Sequence, residues 1–265
     1  MIGGNKFMDQ ELIEKVMKKV TEDMGVENSC KTSQCCAASS VTEFVGTAMG
    51  DTIGLVIASV DPMLIEPMKL GRYRSIGILG SRTGAGPQIM AVDDAVKATN
   101  TEIITVELPR DTKGGAGHGC LIYIGADDVS DAKRAVEIAL QNVGKYFGDV
   151  YGNDAGHLEF QYTARASYCL EKSFGTPLGR AFGMVIGAPA AIGTVLADVA
   201  VKAASVEVVG YSHPDAGTSH SNECILTFTG DSGAVRQAVL AAIEVGKKLL
   251  GALGDEPKSS TTPYI

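Results

Sequence analysis

The stretch DVAVKAASVEVVGYS, Asp198–Ser212, decides how this chain is read, because the chain carries a near copy of it, DDAVKATNTEIITVE, at Asp93–Glu107. Asp198 stands 105 residues after Asp93. At that spacing Asp93/Asp198, Ala95/Ala200, Val96/Val201, Lys97/Lys202, Ala98/Ala203 and Glu102/Glu207 are identical pairs. Each copy moves from helically spaced apolar residues into a β-branched run, so each reads as a helix feeding a strand. The chain is therefore a duplication.

Working outward, the first repeat takes residues 41–150. Its IGLVIASV, RSIGILG, EIITVEL and CLIYIG are short, β-branched and glycine-bounded, and predict strands. PQIMAVDDAVKAT and VSDAKRAVEIALQNVGKYF carry helical spacing. The second repeat, residues 151–265, follows the same order. AFGMVIG, VEVVGYS and CILTFTG predict strands there, and GTVLADVAVKAAS and SGAVRQAVLAAIEVGKKLLGAL predict helices. Each repeat thus reads strand, helix, strand, loop, strand, helix, with a further strand and helical piece in front. That order suits a small α+β sandwich, its helices on one sheet face. The tail GDEPKSSTTPYI is polar, holds two prolines, and reads as extended or disordered.

Residues 1–40 differ in character. From Asp9 to Met24 the residues Leu12, Val16 and Val20 recur at four-residue spacing with Ile13 and Met17 beside them, which predicts an amphipathic helix started by Asp9 and ended by Gly25. So short a helix needs a surface for its apolar stripe. That surface is either its own protein or a docking partner reached through the polar tether VENSCKTSQCCAASS.

The chain has 265 residues, enough for two domains at roughly 100–200 residues each. Net charge is -8, with no Lys/Arg run to track phosphates, which argues against nucleic acid. No apolar run reaches the ~18 residues of a membrane span and no secretion signal opens the chain, so a cytoplasmic location is expected. Of the six cysteines only Cys30, Cys35 and Cys36 cluster. Their spacing does not match zinc motifs, so no metal and no cofactor is expected.

Three motifs invite chemistry. GSRTGAGPQ, Gly80–Gln88, joins a strand to a helix whose start could bind a phosphate, but it lacks the GK[ST] ending of a phosphate loop, and tight turns with Pro87 in the first helical turn explain it. GDSG, Gly230–Gly233, is explained by Ser232 as a helix cap. The loops RDTKGGAGHG and HPDAGTSHSN occupy matching places in the two repeats. They read as glycine-permitted turns or as a pore lining, with Lys113, Gly114, Gly115, Gly117 and His118 in one, and Gly217, Thr218, Ser219 and His220 in the other. Cys120 and Cys224, just after those loops, read as small apolar strand residues. Asp93/Lys97 and Asp198/Lys202 stand four apart on a helix, as surface ion pairs do. An enzyme using Arg82 or His118, or a soluble trimeric sensor, remains an alternative.

GMVIGAPAAIGTVLADVAVKAASVEVVGY followed by TGDSGAVRQAVLAAIEVGKKLLG resembles the bacterial microcompartment (BMC) shell domain. With TEFVGTAMGDTIGLVIASVD, RYRSIGILGSRTGAGP, ELPRDTKGGAGHG and FGDVYGNDAGH, the chain from about Val41 to its last residue is similar to the tandem shell proteins of propanediol-utilisation type. The resemblance implies a ferredoxin-like fold in two tandem, circularly permuted BMC domains, and three chains forming a pseudohexameric tile. It implies a non-enzymatic shell protein that tiles beside other BMC shell proteins, encloses enzymes and passes small polar metabolites such as a diol or glycerol through pores. It also implies tile edges at Lys97 and Lys202, with Asp93 and Asp198 as their helix partners; separately, the Asp9–Met24 helix, with Leu12, Ile13, Val16, Met17 and Val20, is expected to dock enclosed enzymes.

Overall fold

A strand buried on both faces needs almost no polar side chains, and SIGILGS and AFGMVIGA meet that condition. They form β3 (Ser75–Ser81) and β8 (Ala181–Ala188), the middle strands of two sheets. The computed structural model describes residues 43–109, 119–214 and 222–265. The predicted helix with Leu12, Ile13, Val16, Met17 and Val20, the cysteines Cys30, Cys35 and Cys36, and all nine pore-loop candidates lie outside the described residues. Val45–Ile265 form one unit.

In the first repeat β1 (Phe44–Ala48) and β2 (Thr52–Ile57) lead through a short helix α1 (Pro62–Ile65) to β3, α2 (Gly86–Lys97), β4 (Glu102–Glu107), β5 (Cys120–Ala126) and α3 (Val129–Tyr146). In the second, β6 (Val150–Asn153) and β7 (Gly156–Thr163) lead through α4 (Tyr168–Phe174) to β8, α5 (Ala190–Ala203), β9 (Val206–Ser212), β10 (Cys224–Gly230) and α6 (Ser232–Gly251). A short β11 (Lys258–Ser259) follows. The sheets run β1-β2-β3-β5-β4 and β11-β6-β7-β8-β10-β9. Every pairing from β2 to β4 and from β11 to β9 is antiparallel.

The repeats agree down to an irregularity. The β4–β5 ladder skips Ile104 and the β10–β9 ladder skips Val209, a β-bulge at the same place in each copy. Gly77 lies opposite Val56, and Gly183 opposite Tyr162. A Cβ on Gly77 would press on Val136 and Ala132 of α3, and one on Gly183 on Phe228 and Val235, so both glycines let the long helix lie close to the sheet.

Burial follows the periodicity. On α3 the residues Ala132, Ala135, Val136, Ala139 and Val143 are buried, and on α6 Val235, Ala238, Val239, Ala242 and Leu250. One core cluster gathers Leu79, Ile89 and Ile122 of the first repeat with Ala166, Leu170, Phe182 and Met184 of the second, so the two repeats share a core.

Three local expectations are corrected. The front piece of each repeat is a two-strand hairpin plus a helical turn, not one strand, because Thr52–Ile57 and Gly156–Thr163 each need a partner on the side away from the central strand. Ser232 is the first helical residue of α6. The cap position belongs to Asp231, and the Ser232 hydroxyl meets Tyr162 Oη. The tail is extended, as one of its two readings has it, but docked and not disordered. β11 pairs with β6, Thr261 Oγ1 donates to Gly144 O at 2.7 Å, and the backbone N–H groups of Tyr264 and Ile265 donate to Asp149 Oδ2 at 3.0 and 3.1 Å. Its polar residues face backbone carbonyls and a buried carboxyl, which composition alone cannot distinguish from solvent.

Candidate functional site at the join of the repeats

α2 and β4 of the first repeat meet α4 and β7 of the second. The meeting is specified by the same Asp and Lys that the repeat duplicates. Asp93 Oδ1 accepts the backbone N–H of Ser167 at 2.9 Å and also the Ser167 hydroxyl, while its other oxygen takes Lys97 Nζ. Ser167 is the N-cap of α4, so a carboxylate of one repeat lies beside the helix start of the other. Lys97 Nζ also reaches Thr163 Oγ1 at 3.4 Å, and Lys172 Nζ donates to Ile104 O at 2.9 Å.

The copies are not equivalent in their surroundings. The Lys97/Asp93 side chains are 29% and 0% exposed, those of Lys202/Asp198 72% and 57%. The reading of two surface pairs therefore holds for Asp198–Lys202, paired at 2.7 Å, and fails for Asp93, because the second repeat covers it.

Below this contact lies a cavity of about 40 Å³, room for about one water molecule. Gly84, Ala85 and Gly86 of the first repeat close one side, and His157, Glu159 and Glu223 of the second close another. β7 positions two of these. In GHLEFQYT the alternate residues His157, Glu159 and Gln161 share one strand face, and that face turns toward the first repeat. His157 Nε2 stands 3.3 Å from Glu223 Oε2, and Gln161 Nε2 donates to Glu159 Oε1 at 3.4 Å. A Cβ at Gly86 would overlap Glu159 Oε1, so the carboxyl fits only because position 86 has no side chain. Burial pushes the Glu159 carboxyl up to about 7, against the opposing pull of His157, while Glu223 adds to the rise.

This geometry changes the reading of GSRTGAGPQ. Its helix start faces the Glu159 carboxyl, so a phosphate there would meet a like charge. His213 Nδ1 lies 3.0 Å from Pro214 O. Cys120 and Cys224 are buried at the starts of β5 and β10, and burial pushes the Cys120 thiol up to about 11, far from a reactive thiolate. Among the described residues no three His, Cys, Asp or Glu side chains gather to hold a metal ion, and no helix is long and apolar enough to cross a membrane.

Glu159 and Glu223 are not among the sequence-predicted residues, and His157 is only one of four histidines that could supply a base, with no partner readable from the sequence. The signal for them was polar residues alternating along GHLEFQYT in an otherwise apolar α+β core. Ladder register places Asp51 and Ile53 of the first repeat where the second has His157 and Glu159, and Gly119 precedes Cys120 as Glu223 precedes Cys224. The trio is therefore particular to one side of the join.

The BMC domain model matches residues 75–153 and 181–254, one stretch in each repeat. The chain is 58% identical over 270 residues to the bacterial microcompartment shell protein PduB of Citrobacter freundii, covering 100% of both chains. The chain belongs to the bacterial microcompartment shell proteins. A PduB of Salmonella typhimurium is 60% identical over 97% of this chain and 92% of its own. The crystal structure of a trimeric bacterial microcompartment shell protein PduB superposes with TM-score 0.81 at 55% identity, covering 85% of this chain and 100% of that one. The shell protein thus has two BMC domains of mixed helix and sheet. Each match begins at the central strand, β3 or β8, and the first runs on through β6.

Proposed function

We propose that this shell protein assembles as a homotrimeric, pseudohexagonal tile that walls a catabolic microcompartment and passes small polar metabolites, a diol or glycerol, through pores. One observation carries the assembly. In the first domain α2 and β4 are covered by α4 and β7 of the second, whereas their counterparts α5 and β9 are bare, with Val195, Val201, Val208 and Tyr211 exposed. The counterparts of the covering elements, α1 and β2, are bare as well, with Met63 81% exposed beside Leu64 and Ile53. The two bare surfaces stand in the relation that the covered join has inside the chain. A second copy's α1 and β2 therefore fit α5 and β9, and repetition of one head-to-tail contact closes a ring of three. The trimeric state of the superposed PduB supports the same reading.

In that tile Lys97, 29% exposed, and Lys202, 72% exposed, remain the candidates for edges that meet other shell proteins, while Asp93 is committed to the join and Asp198 to Lys202. The loops with Lys113–His118 and Gly217–His220 remain candidate pore linings. The Leu12–Val20 helix is proposed to dock enclosed enzymes. The work of the tile is selective passage rather than catalysis: a narrow polar opening replaces the hydration of a hydroxyl-rich solute, and an aldehyde offers fewer donors. Sedimentation and electron microscopy of the purified chain test this. Trimers that grow into flat hexagonal sheets support it, and monomers at every concentration overturn it.

A further inference from the structure

A second concave surface lies apart from that cavity. Where the loop after α1, the strand β4 and the second domain's α4 come together there is an open groove of about 380 Å³. Lys69, Arg72 and Lys172 line it and Glu102 is the lining carboxylate, so three cations face one anion in a chain whose net charge is -8. These side chains come from separate segments, which is why no basic run in the sequence announces them. Their donors are largely unspent. Lys69 has no hydrogen bond or ion pair among the described residues. Lys172 Nζ gives one of its three N–H groups to Ile104 O at 2.9 Å. Arg72 Nη2 donates to Tyr73 Oη at 2.8 Å, but stands 3.6 Å from Glu102 and 3.8 Å from Asp127, beyond hydrogen-bond length. In the other copy the matching glutamate, Glu207, is held by both arms of Arg180 at 2.9 and 3.0 Å.

The duplication shows that the fold does not ask for these charges. Gly77 and Gly183 correspond, as do the backbone bonds from Val60 N–H to Arg74 O and from Ala166 N–H to Arg180 O, both 2.8 Å. That register sets Lys69 against Gly175, Arg72 against Leu178 and Lys172 against Glu66. Gly175 ends α4 at φ +72°, the left-handed region that suits glycine, and Lys69 adopts the same region at φ +55°. A lysine is kept where a glycine would be less strained, and a charge that does nothing for the turn is explained by what it faces. We infer that the groove binds a small phosphate ester. A phosphoryl dianion balances the excess of two positive charges. Arg72 can present two parallel N–H groups to a pair of its oxygens, and the ammonium groups of Lys69 and Lys172 serve as point donors to the rest. The volume leaves space beside the phosphate for an organic part of a few carbons. The site lies within one chain, so it needs neither the proposed tile nor its pores.

Amide NMR of the full deuterated chain, in the oligomeric state it adopts, tests this with inorganic phosphate as the probe and chloride at equal ionic strength as the reference. The Gly71 and Ile104 amide signals should move with phosphate and saturate, and should stay in place with chloride. Lys69→Gly and Arg72→Leu, which install the residues of the other copy, should each weaken binding at least about threefold, and the two together at least about tenfold. Lys69→Gly should at the same time raise the thermal unfolding temperature by relieving the turn, so its loss of binding does not come from a damaged fold. Raising ionic strength from about 0.01 M to about 0.15 M shortens the screening length from about 30 Å to about 8 Å and should weaken binding as well. Signals that follow chloride as closely as phosphate, or phosphate binding that both variants leave unchanged, would overturn the site. Shifts induced by a hexaglutamate peptide but not by phosphate would overturn it too, since the groove would then dock an acidic protein segment.

Discussion

Asp93 Oδ1 accepts the backbone N–H of Ser167, 74 residues further along the chain, at 2.9 Å, and Asp198, its duplicate, is paired with Lys202 on an exposed helix face. One local sequence thus serves two physical roles, set by whether another domain lies on top of it.

Substitution should separate those roles. Asp93→Ala leaves the Ser167 N–H and the Lys97 ammonium without their carboxylate in a buried contact, a loss of about 2–4 kcal/mol. Asp198→Ala removes an exposed i,i+4 pair and should stay within about 0.5 kcal/mol. Urea unfolding of the two variants decides it; equal losses would mean that the join does not depend on Asp93.

Glu159 makes stability depend on pH. Its folded carboxyl sits at about 7, against about 4.5 when unfolded, with His157, Glu223 and Gln161 facing it. The folded form therefore holds its proton more tightly. The contribution is fully present below about pH 4.5, falls as pH rises to about 7, and is constant above that. Glu159→Gln, which cannot ionise, should gain on the order of 2–3 kcal/mol over the natural chain at pH 8 and little at pH 4. A gain of the same size at both pH values in denaturant titrations would contradict the assignment.

The bare faces should be the assembly faces. Met63→Asp on α1 or Val208→Asp on β9 puts a charge where a neighbouring copy's apolar surface has to sit, and should shift sedimentation from trimer to monomer while the circular dichroism spectrum holds. Met63 is 81% and Val208 56% exposed, so neither change harms the isolated fold. Trimers that persist in both variants would rule out this surface.

The tail should hold the turn between the domains. Removing residues 258–265 strips Asp149 of the Tyr264 and Ile265 N–H groups, and Tyr146 of its edge contact with Tyr264 at 5.8 Å. Amide hydrogen exchange over residues 144–153 should rise at least about tenfold, with β3 and β8 unchanged. Unaltered exchange there would mean that the tail only decorates the surface.

Much of this was legible before any coordinates. Hydrophobic period is a local property, so β3, α2, β4, β5 and α3, and their copies in the second repeat, follow from runs such as SIGILGS and AVEIALQNV. The front hairpins were only partly legible, because GNDAGHLEFQYT mixes Asn, Asp, His, Glu and Gln into strands whose polar side faces another domain instead of solvent. For the same reason nothing in the sequence joined His157, Glu159 and Glu223 to one another.

The sequence by itself determined that the chain is a duplicated α+β unit of the shell family, since the spacing of apolar residues, the glycines at 77 and 183 and the repeated Asp–Lys helix are written locally in each copy. Only the tertiary structure decided which copy of that helix is buried, that a carboxyl from β7 fits against Gly86, and that the polar tail is docked. The physical reason is that near-identical segments have the same conformational preferences but not the same neighbours, and burial, pairing and charge cost belong to the neighbours.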